Sequence, residues 1–455
     1  MSLSIIILAA GQGTRMRSAL PKVLHPLGGI PLLKHVIRTA RQLDPARITV
    51  VYGHGGEQVR EVLAEEAVEW VLQDRQLGTG HAVNQAMPSI PAEDTVLVLY
   101  GDVPLIQADT LAALVEKADA GQLAVLTAEL DNPHGYGRML RDESGRLVGI
   151  VEQKDASETQ LDIREINSGF LAAPAGCLRG WLERLDNSNA QGEYYLTDII
   201  AMAVTDGVPV ESIRAAHEYE ILGVNDRVQL AHLERVWQRL QAEALMRNGV
   251  TLADPARLDI RGDISVGQDC YIDINVVLEG RVVIGERVNI GPGCVIRNAT
   301  IGDDVGVFAH CVIEEGEIGA RCRIGPFARI RPETKLAEQV HVGNFVEIKK
   351  SAIARGSKIN HLSYIGDTRM GSGVNIGAGT ITCNYDGAHK HLTEIGDNVF
   401  VGSDTQLVAP VKVGDGATIG AGSTIVRDVP ENELTLSRAR QQTVSGWKRP
   451  VKGRT

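Results

Sequence analysis

The chain has 455 residues, 44% of them hydrophobic and 23% charged, with a net charge of −11. That length exceeds what one ordinary core covers, so two folding units, or one unit and a repeat array, are expected. No uncharged apolar run approaches the roughly 18 residues of a membrane span, and the acidic balance speaks against a nucleic-acid partner, which needs a basic surface.

The apolar start, 1–10, has no basic n-region and meets Gly11 and Arg15 at once. It reads as a first strand rather than a signal peptide, so a cytoplasmic location without a membrane partner is expected. Six cysteines lie scattered with no CxxC pair, which suggests reduced thiols and neither a zinc site nor a disulfide framework. In chain order, 4–9, 48–52, 68–72 and 95–100 are short continuous apolar runs closed by polar or glycine turns, as in parallel strands buried on both faces. Between them, 32–42, 56–65, 80–87 and 109–120 carry helical spacing. The alternation predicts an α/β fold with a doubly wound, Rossmann-like sheet and ligands beyond the carboxyl ends of its strands. From about Asn225 to Asn248, Val228, Leu230, Leu233, Val236, Leu240 and Leu245 recur among Arg, Glu and Gln, the pattern of one connecting helix.

A period of six then takes over. Ile284, Ile290 and Ile296, then Ile301, Val307 and Ile313, then Ile318, Ile324 and Ile330, and later Ile395, Val401, Leu407, Val413, Ile419 and Ile425 hold one phase. A helix cannot keep that register, whereas a parallel β-helix does: three hexads make a triangular coil, aliphatics point inward and small residues turn the corners. At about 18 residues per coil the region would hold on the order of ten coils. The polar stretch Cys383–His391 interrupts the period and reads as a loop leaving the solenoid, a place where binding function tends to sit. The segment 438–455 has basic and no acidic side chains and suits a phosphate-rich ligand.

The first strand leads into Leu8-Ala9-Ala10-Gly11-Gln12-Gly13-Thr14-Arg15-Met16 and on to Pro21-Lys22. Two glycines let backbone N–H groups approach an anion, and Arg15 and Lys22 add charge. The string is neither a Walker loop nor a GxGxxG fingerprint. Asp102, just past a strand, offers a carboxylate to a hard divalent ion, and Asn225 a neutral oxygen. In the repeats, Arg331, Lys349, His361, Tyr364, Asn375, Asn384, Tyr385 and Lys390 are large polar residues where the hexad pattern wants small or aliphatic ones, which marks a second site.

The glycine string with its downstream lysine resembles the signature of sugar-1-phosphate nucleotidyltransferases. Further strings extend the likeness: Gln73 through Gly78-Thr79-Gly80-His81, Tyr100-Gly101-Asp102, Gly135-Tyr136-Gly137-Arg138, Val151-Glu152-Gln153-Lys154, Ile166-Asn167-Ser168-Gly169, Gly223-Val224-Asn225, His361-Leu362-Ser363-Tyr364 and Cys383-Asn384-Tyr385-Asp386-Gly387. Together they resemble, end to end, the family of bifunctional UDP-N-acetylglucosamine pyrophosphorylases and glucosamine-1-phosphate N-acetyltransferases. The resemblance implies a uridylyltransferase domain over 1–226, a linker helix over 227–249, and over 250–455 a left-handed β-helix acetyltransferase domain with a basic tail. It implies that Leu8, Ala9, Ala10, Gly11, Tyr100 and Gly101 line the UTP site, and that Gln73, Gly78 and Thr79 contact the uracil. By the same likeness Gly137, Glu152, Asn167 and Asn225 hold the acetamido sugar, and Asp102 with Asn225 binds Mg²⁺.

In such an enzyme the phosphate of N-acetylglucosamine 1-phosphate attacks the α-phosphorus of UTP and pyrophosphate leaves. The nucleophile is already ionised, so the demand is for charge neutralisation and alignment, the catalytic part expected of Arg15 and Lys22. Acetylation of glucosamine 1-phosphate differs, because an amine is largely ammonium at neutral pH and needs a base; the resemblance gives that role to His361, with Glu347 expected to orient its imidazole. It further implies that Arg331, Lys349 and Lys390 bind the sugar phosphate, that Tyr364 and Asn375 position the sugar, and that Ala378, Asn384, Tyr385, Ser403, Ala421 and Arg438 contact acetyl-CoA, the co-substrate. Cys383 is a rival nucleophile that nothing nearby marks as activated. The resemblance also implies a homotrimer, with acetylation sites between chains and the 382–393 loop crossing to a partner, which agrees with flat prism flanks that enclose little by themselves. Two alternatives stay open: another sugar-1-phosphate nucleotidyltransferase whose β-helix only regulates or oligomerises, and a non-catalytic scaffold.

Overall fold

The computed structural model describes residues 2–11, 13–53, 56–450 and 452, in two compact units, Met1–Trp237 and Gln238–Thr455. In the first, the strands run across the sheet as Val210–Arg214, Leu123–Glu129, Glu165–Pro174, Thr95–Tyr100, Leu3–Ala9, Arg47–Gly53 and Glu69–Gln73. Leu3–Ala9 pairs in parallel with both Thr95–Tyr100 and Arg47–Gly53. Ile5, Ile7, Leu97 and Leu99 face one core and Ile6, Leu8, Val96 and Val98 the other. Burial on both faces is the physical reason these runs are apolar throughout instead of alternating.

The sheet is mixed rather than wholly parallel. Glu165–Pro174 runs antiparallel to both neighbours, because the chain reaches it through the antiparallel pair Gly137–Arg141 and Leu147–Val151 and not across a full helical crossover. The helices Leu32–Arg41, Glu57–Val62, Thr79–Ala86 and Ala108–Asp119 stand where the spacing predicts. Arg227–Arg247 is one helix, and the division between units falls inside it. In the first unit its Leu233 is buried with Met16, Leu27 and Leu32; in the second, Gln238 exchanges two 2.7 Å hydrogen bonds with the backbone of Ile260. Among the described residues no helix is long and apolar enough to cross a membrane.

The second unit is a parallel β-helix. Eleven strands, from Thr251–Leu252 to Leu434–Thr435, form one face, and a 17-stranded sheet forms the rest. Strands of the first face begin at residues 289, 306, 323, 341, 358 and 375 and then jump to 400. The repeat is thus 17 or 18 residues until the polar excursion lengthens one coil. Every residue of the period-six phase named above is buried in a single core. The corners match the expectation in part: Gly280, Gly293, Gly356 and Gly379 turn some of them at positive φ, but larger residues turn others. Asp304, Arg321 and Gln339 follow one edge, His310, Phe327, Phe345 and Leu362 a second, and Asn298, Glu315, Glu333 and Lys350 a third, all at positive φ. Left-handed backbone costs a residue with a side chain about 1–2 kcal/mol, and the turn needs the conformation, not small size, since a corner side chain points away from the core.

Candidate active sites

Strand order reverses between Leu3–Ala9 and Thr95–Tyr100, and a cavity of about 230 Å³ opens at their carboxyl ends. Its walls include Leu8, Ala9, Ala10, Gly11, Lys22, Gln73, Gly78, Thr79, Tyr100 and Asp102, with Gln76 and Glu193, which sequence reasoning missed. Gln76 donates to the Ala10 carbonyl, and Gly101 N–H to Leu8 O at 2.9 Å. Gly13 has φ +61°, and a Cβ there would stand 2.6 Å from Lys22 Cβ, so glycine lets the turn close against the lysine. Arg15 is exposed on the 3₁₀ turn Thr14–Met16 and is not among the residues lining the cavity; Gln12 lies outside the described residues.

Lys22 bridges the oxygens expected to hold a metal. Its ammonium binds the Asp102 carboxylate and lies 3.3 Å from Asn225 Oδ1. Asn225 is brought there by the Val224 N–H, which donates to Asp102 O at 2.9 Å. Two oxygens far apart in sequence thus converge on one cation. Mg²⁺ is commonly held by one or two carboxylates while phosphates and waters complete its shell, so this donor set fits such an ion. Among the described residues no group of three or more His, Cys, Asp or Glu side chains is placed to hold a metal.

Gly137 pairs with Asn167 across neighbouring strands, and a Cβ on Gly137 would lie 3.5 Å from both Glu152 carboxylate oxygens. Glu152 accepts from Thr197 Oγ1 at 3.1 Å. Burial, with Asp198 and Asp155 nearby, holds its carboxyl above the ordinary range despite that bond. Burial first, then Glu152 and Asp102, pushes the Tyr100 phenol up. The folded protein therefore binds the Glu152 proton more tightly than the unfolded chain does. This group favours folding below the ordinary glutamate range, and the contribution is lost as pH rises through its raised folded value. Glu152→Gln is expected to raise the calorimetric Tm by about 2–4 °C near neutral pH, with a smaller gain in acid, while raising KM for the sugar phosphate.

In the β-helix the expected residues form two groups. On one flank Glu347 neighbours Tyr364, and Lys349 neighbours Gly366, in successive coils. Arg331 pairs with Glu347 at 2.8 Å. A Cβ on Gly366 would stand 2.7 Å from Tyr364 Cζ and 2.8 Å from Asn384 Nδ2. The missing side chain lets that ring and amide meet, and Asn384 Nδ2 donates to Tyr364 Oη at 3.5 Å and to Asp367 Oδ2 at 2.5 Å. The Lys390 ammonium beside it, then burial and Arg331, push Lys349 below the usual lysine range. Such crowding of positive charge suits a phosphate dianion.

The excursion folds on itself. Tyr385 bridges Lys390, and Asp386 accepts from the backbone N–H of Ala388 and His389 at 2.8 and 2.7 Å and pairs with His391 Nε2 at 2.6 Å. This hairpin brings Lys390 beside Lys349 of the same chain. Tyr385 is 60% exposed. Burial pushes the Cys383 thiol up, the opposite of an activated nucleophile.

The second group is a ladder along one edge. Leu362 N–H donates to Asn344 O at 3.1 Å, Gly379 N–H to His361 O at 3.4 Å, Asp404 N–H to Ala378 O at 2.7 Å and Gly422 N–H to Ser403 O at 2.8 Å. Arg438 Nη1 ends it on Ala421 O at 2.6 Å. Asn344, His361, Ala378, Ser403 and Ala421 therefore occupy one column, and at roughly 4.8 Å per coil His361 and Ala421 are about 14 Å apart. Small side chains between imidazole and guanidinium leave room for an extended ligand. Asn375 lies on the first face, in register with Lys358 and Phe400.

The imidazole's partner corrects the expectation. His361 Nδ1 lies 3.2 Å from Asn344 Oδ1, while Glu347 is engaged by Arg331. Asn344 is in register with His361 in the preceding coil, and Glu347 lies past the corner at Phe345. A further concavity of about 1220 Å³ on the β-helix is lined by none of the expected residues. Both lysines in its wall are paired across coils, Lys335 with Glu317 at 2.8 Å and Lys412 with Glu394 at 3.0 Å.

Fold and sites define a two-unit transferase, an α/β nucleotidyltransferase unit followed by a hexapeptide-repeat β-helix. The chain is 59% identical over 449 residues to the bifunctional protein GlmU of Alkalilimnicola ehrlichii, covering 99% of this chain and 97% of that one. It is 57% identical to that of Marinobacter nauticus and 58% to that of Ralstonia nicotianae, each over 450 residues and 99% of both chains. The chain belongs to the family of the bifunctional protein GlmU. Residues 5–163 match the MobA-like NTP transferase domain, 260–345 the GMPPB C-terminal domain and 392–427 the bacterial transferase hexapeptide (six repeats). A solved nucleotidyl transferase from Methanothermobacter aligns with 52% of this chain and 99% of its own, at 21% identity and a TM-score of 0.39.

Proposed function

We propose that the chain makes UDP-N-acetylglucosamine in two steps. The β-helix acetylates glucosamine 1-phosphate with acetyl-CoA, and the N-terminal unit then transfers UMP from UTP to N-acetylglucosamine 1-phosphate, releasing pyrophosphate. The product suits cell-wall synthesis, and the enzyme works in the cytoplasm as a homotrimer formed through the β-helix. The observation that carries this reading is that one chain holds two separate sites, each with the groups one half-reaction needs.

In acetylation, the Asn344 oxygen holds the proton of His361 on Nδ1 and leaves the Nε2 lone pair to take a proton from the amine. The free amine attacks the thioester carbonyl carbon, the C–S bond breaks, the imidazolium proton passes to the departing thiolate, and the second nitrogen proton, lost as the amide forms, passes to the imidazole and on to water. Arg331, Lys349 and Lys390 hold the sugar phosphate, Tyr364 and Asn375 place the sugar, Asn384 and Tyr385 stand at the acetyl end, and the column ending at Arg438 takes the CoA arm. In uridylyl transfer, Gly137, Glu152 and Asn167 hold the acetamido sugar so that its phosphate oxygen lies in line with the α-phosphorus. Lys22 stabilises charge moving onto pyrophosphate, and Arg15, exposed on the turn after the glycine string, is assigned to the same task. Mg²⁺, held by Asp102 and Asn225, supplies charge neutralisation to the phosphates when bound.

Incubation with UTP, acetyl-CoA, glucosamine 1-phosphate and Mg²⁺ is expected to yield UDP-N-acetylglucosamine, free CoA and pyrophosphate. Nucleotide-sugar formation from N-acetylglucosamine 1-phosphate but none from glucosamine 1-phosphate would assign the β-helix a regulatory part; no turnover of either would leave a scaffold.

A further inference from the structure

Gln73 ends the strand Glu69–Gln73, lines the first cavity and is 3% exposed. Its Nε2 lies 3.2 Å from the carbonyl oxygen of Gly78 and 3.0 Å from His81 Nδ1. A carbonyl only accepts, so the end of the amide facing it is the NH₂ end, and its two N–H bonds are used on Gly78 O and on the Nδ1 lone pair. His81 then carries its proton on Nε2, 3.3 Å from the terminal amide group of Gln85, which accepts that proton with its oxygen end turned to the ring, since an NH₂ there would set donor against donor. Burial lowers the pKa of His81, which keeps the ring neutral and Nδ1 an acceptor. With the NH₂ end taken up by the protein, Oε1 is the end of Gln73 available to a ligand.

We infer that His81 is a positioning residue that locks the Gln73 amide with its oxygen toward the nucleotide base, so that the site selects a base with an N–H at ring position 3, uracil or thymine, over cytosine. This rests on the reading that Gln73 meets the base. The N3–H of uracil donates to Oε1. Cytosine offers a bare N3 lone pair to the same oxygen and leaves two acceptors unpaired in a buried site, which costs more than an absent bond. A freely turning amide would remove the discrimination by offering cytosine its NH₂ end. Turning it here sets Oε1 against both Gly78 O and the Nδ1 lone pair, and His81, on the first turn of Thr79–Ala86, supplies half of that obstacle.

Two variants of one shape separate locking from packing. His81→Asp presents only acceptors to the Gln73 NH₂, whereas His81→Asn presents either end of an amide. Nucleotidyl transfer to N-acetylglucosamine 1-phosphate by the full chain is measured with UTP and with CTP, and acetyl transfer by the same preparations confirms an intact β-helix. His81→Asn is expected to reduce the UTP-over-CTP ratio of kcat/KM by about tenfold, through KM, and His81→Asp to stay within about threefold of the parent. Equal ratios in the two variants would overturn the role of His81. A parental ratio in Gln73→Ala would overturn instead the reading that Gln73 meets the base.

Discussion

His361→Ala is expected to lower acetyl transfer by on the order of 10²–10⁴-fold while uridylyl transfer by the same preparation stays unchanged, read as CoA thiol against pyrophosphate release. The magnitude is that of losing a positioned general base, and the selectivity follows from where the ring sits. His361 is exposed at a corner of the second unit, so truncation leaves no cavity in the core and no charge uncompensated. Its neighbours in the column, Asn344 and Ala378, are held by backbone hydrogen bonds that alanine preserves. Retained acetylation would move the base elsewhere, and burial, which pushes the Cys383 thiol up, speaks against a covalent detour through that sulfur. Equal loss of both activities would instead mean that the substitution acts on folding or assembly.

The β-helix was legible because its determinant is local. One aliphatic every six residues is a statement about which side chains face the core, and the whole phase is buried. The groups around the acetylation site are not local in that sense. Asn344 supports His361, and Gly366 makes room for Tyr364 and Asn384, through register between coils 17, 18 or 25 residues apart, and nothing in the chain states which residue of one coil lies over which of the next. Asp367 reads as an ordinary corner residue at positive φ until its carboxylate is seen to hold Asn384. In the first unit the glycine string and Lys22 announce an anion site by themselves. The antiparallel strand Glu165–Pro174 was missed because its direction is set by the hairpin before it, and an apolar run carries no mark of direction.

Asp102→Ala is expected to abolish uridylyl transfer, a loss of at least about 10³-fold in kcat, and to spare acetyl transfer. In the present geometry the Asp102 carboxylate and Asn225 Oδ1 share the Lys22 ammonium, so the same two oxygens that would hold a divalent ion hold a lysine. A divalent ion held by those two oxygens would release Lys22 toward the phosphates, so that the site would gain both its charge and the lysine's there. Removing the carboxylate takes away the only negative charge of that pair, and Asn225 alone is a poor ligand for a hard cation. Excess Mg²⁺ is therefore expected to leave the variant inactive, whereas mere loss of affinity would show recovery at high metal. Asp102 is not part of the second unit, which is why acetylation should persist; equal loss of both activities would defeat the division of chemistry between the two sites.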